Sequence, residues 1–174
     1  MESLVEDLLL LARADERGLT LQRKDVDLDD IASIEVGRLL RETTLTVDVD
    51  LVPTRLVGDP GGLSRVLRNL LENAARHATS RIELRVHPDG ADAVLAVADD
   101  GPGIPEPDRA RVFDRFVRLD SARARSGGGA GLGLAIVSEV IAAHGGTVVI
   151  GDRPDGGALM TVRLPLAYSP DSRR

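Results

Sequence analysis

The segment "RVLRNLLENAARHA" (65–78) places two asparagines one helical turn apart, Asn69 and Asn73, and follows them with Arg76 and His77. Asparagine is a middling helix former, so its repetition asks for a reason beyond propensity. At about 100° per residue the four side chains share one stripe bordering an apolar face near Val66. An asparagine oxygen is a neutral hard ligand, suited to a Mg²⁺ ion that also holds phosphates and waters. Taken alone, the stripe reads more simply as the polar rim of a surface helix.

Two glycine-rich segments widen the choice. In "VADDGPGIP" (97–105), Asp99 stands where an apolar strand ends, and Gly101 and Gly103 permit close backbone approach. A carboxylate at a pocket floor accepts a hydrogen bond from an exocyclic amine; a tight surface turn, where Asp is common, is the plainer reading. "GGGAGLGLAIV" (127–137) opens a helix with five glycines, a start that exposes N–H groups to an anion. It is not a P-loop, because the single lysine, Lys24, follows no glycine loop. It is not a dinucleotide fingerprint either, because Leu134 stands where the last glycine is required. By itself it serves equally as a hinge or cap.

The elements that must position these residues follow from periodicity. Residues 2–17 read as a helix with a heptad seam of Leu4, Leu8 and Leu11, widened by Val5 and Ala12. Residues 18–27 are a polar linker with one short strand. A helix is expected over 28–43, with Asp29 or Asp30 near its start and Leu28, Ala32, Val36, Leu39 and Leu40 on its apolar stripe. Strands follow at 45–50 and 54–58. Asp59 and Pro60 then start a helix to about Thr79, burying Leu63, Val66, Leu67, Leu70, Leu71 and Ala74. Strands at 81–86 and 93–98 flank a turn at 87–90. A short helix is expected within "PDRARVFDRFVRL" (107–119), a last helix over 131–144, and a closing hairpin from "TVVIG" and "LMTVRLP". The sum is a two-layer α/β (α+β) sandwich: a mixed, mostly antiparallel sheet with about three helices on one face, plus an N-terminal helix.

Composition narrows the function classes. The 174 residues include no cysteine, which excludes disulfides and thiolate zinc sites. Phe113, Phe116 and Tyr168 are the only aromatics and the net charge is −6, a poor surface for stacking or attracting nucleic acid. No apolar run of about 18 residues is present, so no direct membrane contact is expected of this segment.

Together the motifs resemble one family. "NLLENAARHA" resembles the N box, "DDGPGIP" the first glycine box, "VFDRF" (112–116) the F box and "GGGAGLGLAIV" the second glycine box of bacterial two-component sensor histidine kinases. The resemblance covers roughly residues 24–166 and implies the Bergerat ATP-binding fold. It implies that Asn73 ligates Mg²⁺, that Asn69 sits beside the nucleotide, and that Arg76 contacts phosphate. His77 then takes a place near the adenine or ribose, and Asp99 receives the adenine amino group. Gly101, Gly103 and Ile104 shape that pocket, while Gly129, Gly131, Leu132 and Gly133 close over the phosphates. Residues 105–130 become an ATP lid, with six arginines against four acidic residues between Pro105 and Ser126. Phe113 and Phe116 are expected to pack the lid onto the domain. Two departures stand out: Ala158 and Met160 replace the family's Thr and Phe in the last strand, and His77 replaces a more usual Tyr or Phe.

The resemblance also separates kinase from ATPase. Hydrolysing relatives carry a general-base Glu one turn before the metal Asn, and here that residue is Asn69. Glu72 points about 100° away from Asn73. None of His77, His87 or His144 is followed by the acidic residue of a phosphoacceptor box. The expectation is therefore the catalytic half of a histidine kinase, using ATP and Mg²⁺. Residues 1–20 would end the dimerisation and phosphoacceptor hairpin, 21–167 form the ATP-binding domain, and 168–174 a polar tail. Its partners would be the parent's phosphoacceptor histidine domain and a cognate response regulator, in a dimeric protein anchored in the bacterial inner membrane with this part cytoplasmic. An anti-sigma-factor-type serine kinase and a nucleotide-binding scaffold are the alternatives.

Overall fold

The computed structural model describes residues 2–117 and 130–166. Helix α1 (Glu2–Arg17) leads through a polar segment to strand β1 (Lys24–Asp27) and helix α2 (Leu28–Leu39). Strands β2 (Thr46–Leu51) and β3 (Arg55–Gly58) precede helix α3 (Pro60–His77). The long strands β4 (Arg81–Asp89) and β5 (Asp92–Asp99), helix α4 (Gly133–Ala143), and strands β6 (Thr147–Asp152) and β7 (Ala158–Pro165) follow among the described residues.

The main sheet has the order β2-β4-β5-β7-β6. Only β2 and β4 run parallel, because α3 is carried in the crossover between them. The remaining pairs are antiparallel. Strands β1 and β3 form a separate two-stranded ribbon rather than joining this sheet. One face of the sheet, with Ile82, Leu84 and Val86 on β4 and Met160, Val162 and Leu164 on β7, shares a single core with the apolar faces of α2, α3 and α4. The other face carries polar pairs such as Arg81–Asp48 and Arg153–Glu83. The expected two-layer architecture is the one observed.

Helix α3 forms as its sequence dictates. The Asp59 carboxylate accepts from Gly61 N at 3.0 Å and Gly62 N at 3.1 Å, Pro60 sits in the first turn, and all six expected core residues are buried. The opposite wall of this start is His144. Asp59 N donates to His144 Nε2 at 2.9 Å, so Nδ1 carries the proton and donates to Val140 O at 2.7 Å. His144 is thus a buried strut between α3 and α4.

Elsewhere the structure corrects the expected boundaries. Helix α2 stops at Leu39, leaving Leu40 exposed, and its N-cap is Asp27. Asp29 and Asp30 lie in the first turn, as expected, and Asp29 accepts from Thr54 N at 2.9 Å. Strand β4 continues through His87 and Pro88 to Asp89, into the segment expected to turn at 87–90. Pro88 is tolerated because β2 pairs only as far as Val86, so the missing N–H faces no neighbour in the sheet. Among the described residues of 107–119, in place of a short α-helix there are two 3₁₀ turns, Glu106–Asp108 and Arg111–Phe113.

Candidate functional site

The polar stripe of α3 faces the start of α4. Asn69 is half-buried, and its Nδ2 is fully enclosed with no hydrogen-bond partner among the described residues. A methyl added to Gly133 would stand in ordinary van der Waals contact, 3.5 Å from Asn69 Cγ and Oδ1, so the second glycine segment lies beside the asparagine. Asn73 and His77 are half-buried, Arg76 is exposed, and Glu72 is exposed on the solvent side. A buried amide without a partner costs about 1–3 kcal/mol, a cost that a ligand acceptor can offset.

Asp99 closes the other end. It is 4% exposed at the last position of β5. Burial pushes its carboxyl above the usual carboxylate range, opposed by hydrogen bonds from the backbone N–H of Gly101 (2.9 Å) and Ala158 and by the nearby charge of His77. Two backbone donors do not exhaust a carboxylate's lone pairs, so acceptor capacity remains for a ligand donor. The glycines around it are steric necessities. A methyl on Gly101 would lie 2.3 Å from the His77 carbonyl oxygen, and one on Gly157, at φ +110°, would lie 1.9 Å from the Asp99 carbonyl oxygen. Gly103, at φ +74°, packs on Gly157, and the half-buried Ile104 joins the edge of the core. Replacement of the family's Thr by Ala158 leaves its backbone N–H on Asp99 intact.

Of the segment expected to form a lid, residues 105–117 and 130 are described. Its entry is pinned by Arg109, which donates to Ile104 O at 3.0 Å and pairs with Asp152 at 2.5 Å. Val112 is buried and Phe113 half-buried, as packing of the lid requires. Phe116 departs from expectation: it is 63% exposed and held at φ +63°, a costly region for an aromatic residue, with its N–H donated to Gly131 O at 3.0 Å. Gly131, at φ +75°, is confined because a methyl there would meet the Phe116 backbone at 3.1 Å. Leu132 is buried beneath the start of α4. Gly129 and the lid over 118–129 lie outside the described residues.

The segments that carry Asp99 and Gly131 thus both lie against α3, at His77 and at Asn69, although 62 residues separate Asn69 from Gly131. Two contributors escaped sequence reading. Gly157 sits in "PDGG", which looks like any hairpin turn, and its role depends on where β5 ends. Asp100 looks like a repeat of Asp99, yet its side chain turns the other way, onto the Thr79–Arg81 backbone.

Comparisons with known proteins agree with this fold. The family described as "Histidine kinase-, DNA gyrase B-, and HSP90-like ATPase" matches residues 58–168. The signal transduction histidine-protein kinase/phosphatase MprB of Mycolicibacterium smegmatis is 40% identical over 179 residues, covering 98% of this chain and 36% of that protein. The chain therefore spans about a third of the length of this curated relative. Among solved structures, a mycobacterial sensor histidine kinase MprB superposes with a TM-score of 0.73 at 33% identity, covering 82% of this chain and 97% of the other. Full-length ShkA in complex with AMPPNP gives 0.81 at 31% identity, covering 97% of this chain and 36% of that one.

Proposed function

The chain belongs to the histidine kinase-, DNA gyrase B- and HSP90-like ATPase family, on its sensor histidine kinase branch, and from that premise we propose that it binds Mg²⁺–ATP and transfers the γ-phosphoryl group to a histidine on a separate segment of its parent protein. The observation that carries the reading is the caged Asp99: a buried carboxylate with acceptor capacity to spare, beside the end of the helix that bears Asn69 and Asn73.

In this reading Asp99 accepts the adenine amino group, and Gly101, Gly103 and Ile104 form the walls around the base. His77 lies beside adenine or ribose, and Arg76, on the exposed side of α3, meets phosphate. Asn69, one turn earlier on α3, sits beside the nucleotide, and Asn73 Oδ1 would hold the metal. Bound Mg²⁺ would neutralise charge across the β- and γ-phosphates. Gly129, Gly131, Leu132 and Gly133 close over them, with residues 105–130 as lid.

Phosphoryl transfer of this kind is mostly positioning and charge neutralisation. The acceptor imidazole nitrogen forms the P–N bond as the bond from γ-phosphorus to the β–γ bridging oxygen breaks and ADP leaves. The imidazole proton must be taken up outside this site, since Glu72 is exposed and Asn69 cannot act as a base. The same arrangement disfavours activation of water, which supports a kinase over an ATPase.

Residues 1–20 are then the end of a dimerisation and phosphoacceptor hairpin, 21–167 the catalytic unit and 168–174 a tail. A dimeric parent and a response regulator are the implied partners. No helix among the described residues is long and apolar enough to cross a membrane. The test is transfer of label from [γ-³²P]ATP to the parent's helical hairpin added in trans. Labelling of the hairpin histidine is expected; an ATP-competent, folded protein that labels no hairpin would overturn the kinase reading.

A further inference from the structure

Asp100 follows the proposed adenine carboxylate but serves a different neighbour. Its carboxylate accepts from Thr79 N at 2.8 Å, Ser80 N at 3.0 Å, Arg81 N at 3.0 Å and Ser80 Oγ at 2.6 Å. Its own N–H donates to Arg81 O at 3.2 Å. Three consecutive N–H groups leaving α3 therefore converge on one side chain. Helix α3 has no glycine cap; it ends at Ala78, which turns to an extended ψ of 144°, and the chain beyond is held by this anion. One residue further along, Gly101 is wedged under the His77 carbonyl, with no room for a methyl. The end of β5 is thus stitched twice to the end of α3.

These two ends carry the two halves of the site. Asp99 lies on one, and Asn69, Asn73, Arg76 and His77 lie on the other. We infer that Asp100 is a positioning residue, which sets the spacing and orientation of the base-recognising carboxylate relative to the phosphate-facing stripe of α3. The inference rests on the nucleotide reading above. A ligand that spans both ends gains affinity from the second contact only when the two halves are held at the matching distance. A displacement of about 1 Å at such a site costs far more than its local contact energy. An asparagine at 100 keeps one oxygen for the three backbone N–H groups, but it loses the charge that strengthens those bonds and sets a donor amide against Ser80 N, which lies 3.2 Å from the second carboxylate oxygen.

The experiment compares adenosine, which engages only the base end, with Mg²⁺–ATP, which spans both, by NMR titration of the wild type, Asp100→Asn and Ser80→Ala. Adenosine affinity should change by less than about twofold, while the ratio of ATP to adenosine affinity falls about tenfold in Asp100→Asn and less in Ser80→Ala. Ser80→Ala removes one hydroxyl only and remains informative if Asp100→Asn does not fold. An unchanged ratio in the folded variants, or equal loss for both ligands, overturns the positioning role. Failure of the wild type to bind ATP would instead overturn the nucleotide reading and this inference with it.

Discussion

At the scale of single residues, Asp99 illustrates how a buried carboxylate is held against its own preference. Burial raises its carboxyl in the folded protein above the ordinary value of 3.8, so the folded state takes up a proton more readily than the unfolded one. The ionised form is therefore a stability cost at neutral pH, which diminishes as pH falls through the raised folded value. Asp99→Asn should unfold at a temperature equal to or above that of the wild type at pH 7, and this advantage should vanish on acidification. Nucleotide affinity should meanwhile fall by about tenfold or more, since a charged acceptor becomes a neutral one. Asp99→Ala should abolish binding. Thermal melts across pH, with calorimetry for the ligand, check these points; undiminished affinity in Asp99→Ala would remove the adenine assignment. Asp99 was readable as the polar end of an apolar strand. The cage of Gly101, Gly157 and the Ala158 N–H was not, because it joins positions 58 residues apart across a sheet register that no local pattern encodes.

At the scale of elements, the orientation of α3 depends on a contact that periodicity concealed. Glu35 of α2 is 4% exposed, on what reads as a polar position, and accepts from Ser64 Oγ at 2.5 Å and from Arg68 at 3.1 and 3.2 Å. Burial pushes its carboxyl up, but the hydrogen bonds from Arg68 and Ser64 and the guanidinium charge prevail and hold it below 4.5. Its contribution is therefore present above the unfolded value and lost as pH falls through the lowered folded one. Arg68→Ala leaves this carboxylate buried beside Ser64 alone. Because Arg68 is 40% exposed, the expected loss is about 1–2 kcal/mol, below the range for fully buried pairs, and it should shrink in acid. Urea titrations at pH 7 and pH 4 measure both. Helix α1 poses the converse case. Of its heptad seam, Leu11 is buried in the core, whereas Leu4 and Leu8 are 44% and 42% exposed. Arg115 adds a bidentate bridge to Asp15, both contacts 2.6 Å. Leu11→Ala should loosen α1 selectively: amide exchange over residues 4–16 should accelerate while nucleotide affinity stays at the wild-type level. Unaltered exchange there would show that the ion pairs alone dock the helix.

At the scale of the whole molecule, the layer architecture and the motifs of the candidate site were legible from sequence for a common reason. Both rest on local signals: the α3 face from Leu63 to Ala74, the alternation in β4 and β7, and glycines at the ends of elements. What stayed hidden involves partners distant in sequence. The β1–β3 ribbon splits from the main sheet, α2 ends early enough to expose Leu40, and Phe116 points outward although an apolar residue so placed reads as packing. By itself the sequence determined which elements form, which faces they bury and which residue types could meet a magnesium nucleotide, because helix and strand periods are properties of neighbouring residues. Only the tertiary structure decided which backbone N–H groups hold Asp99 and Asp100, which glycine lies against Asn69, and how α3 is braced. Those choices depend on strand register and helix docking, through contacts between residues far apart in the chain.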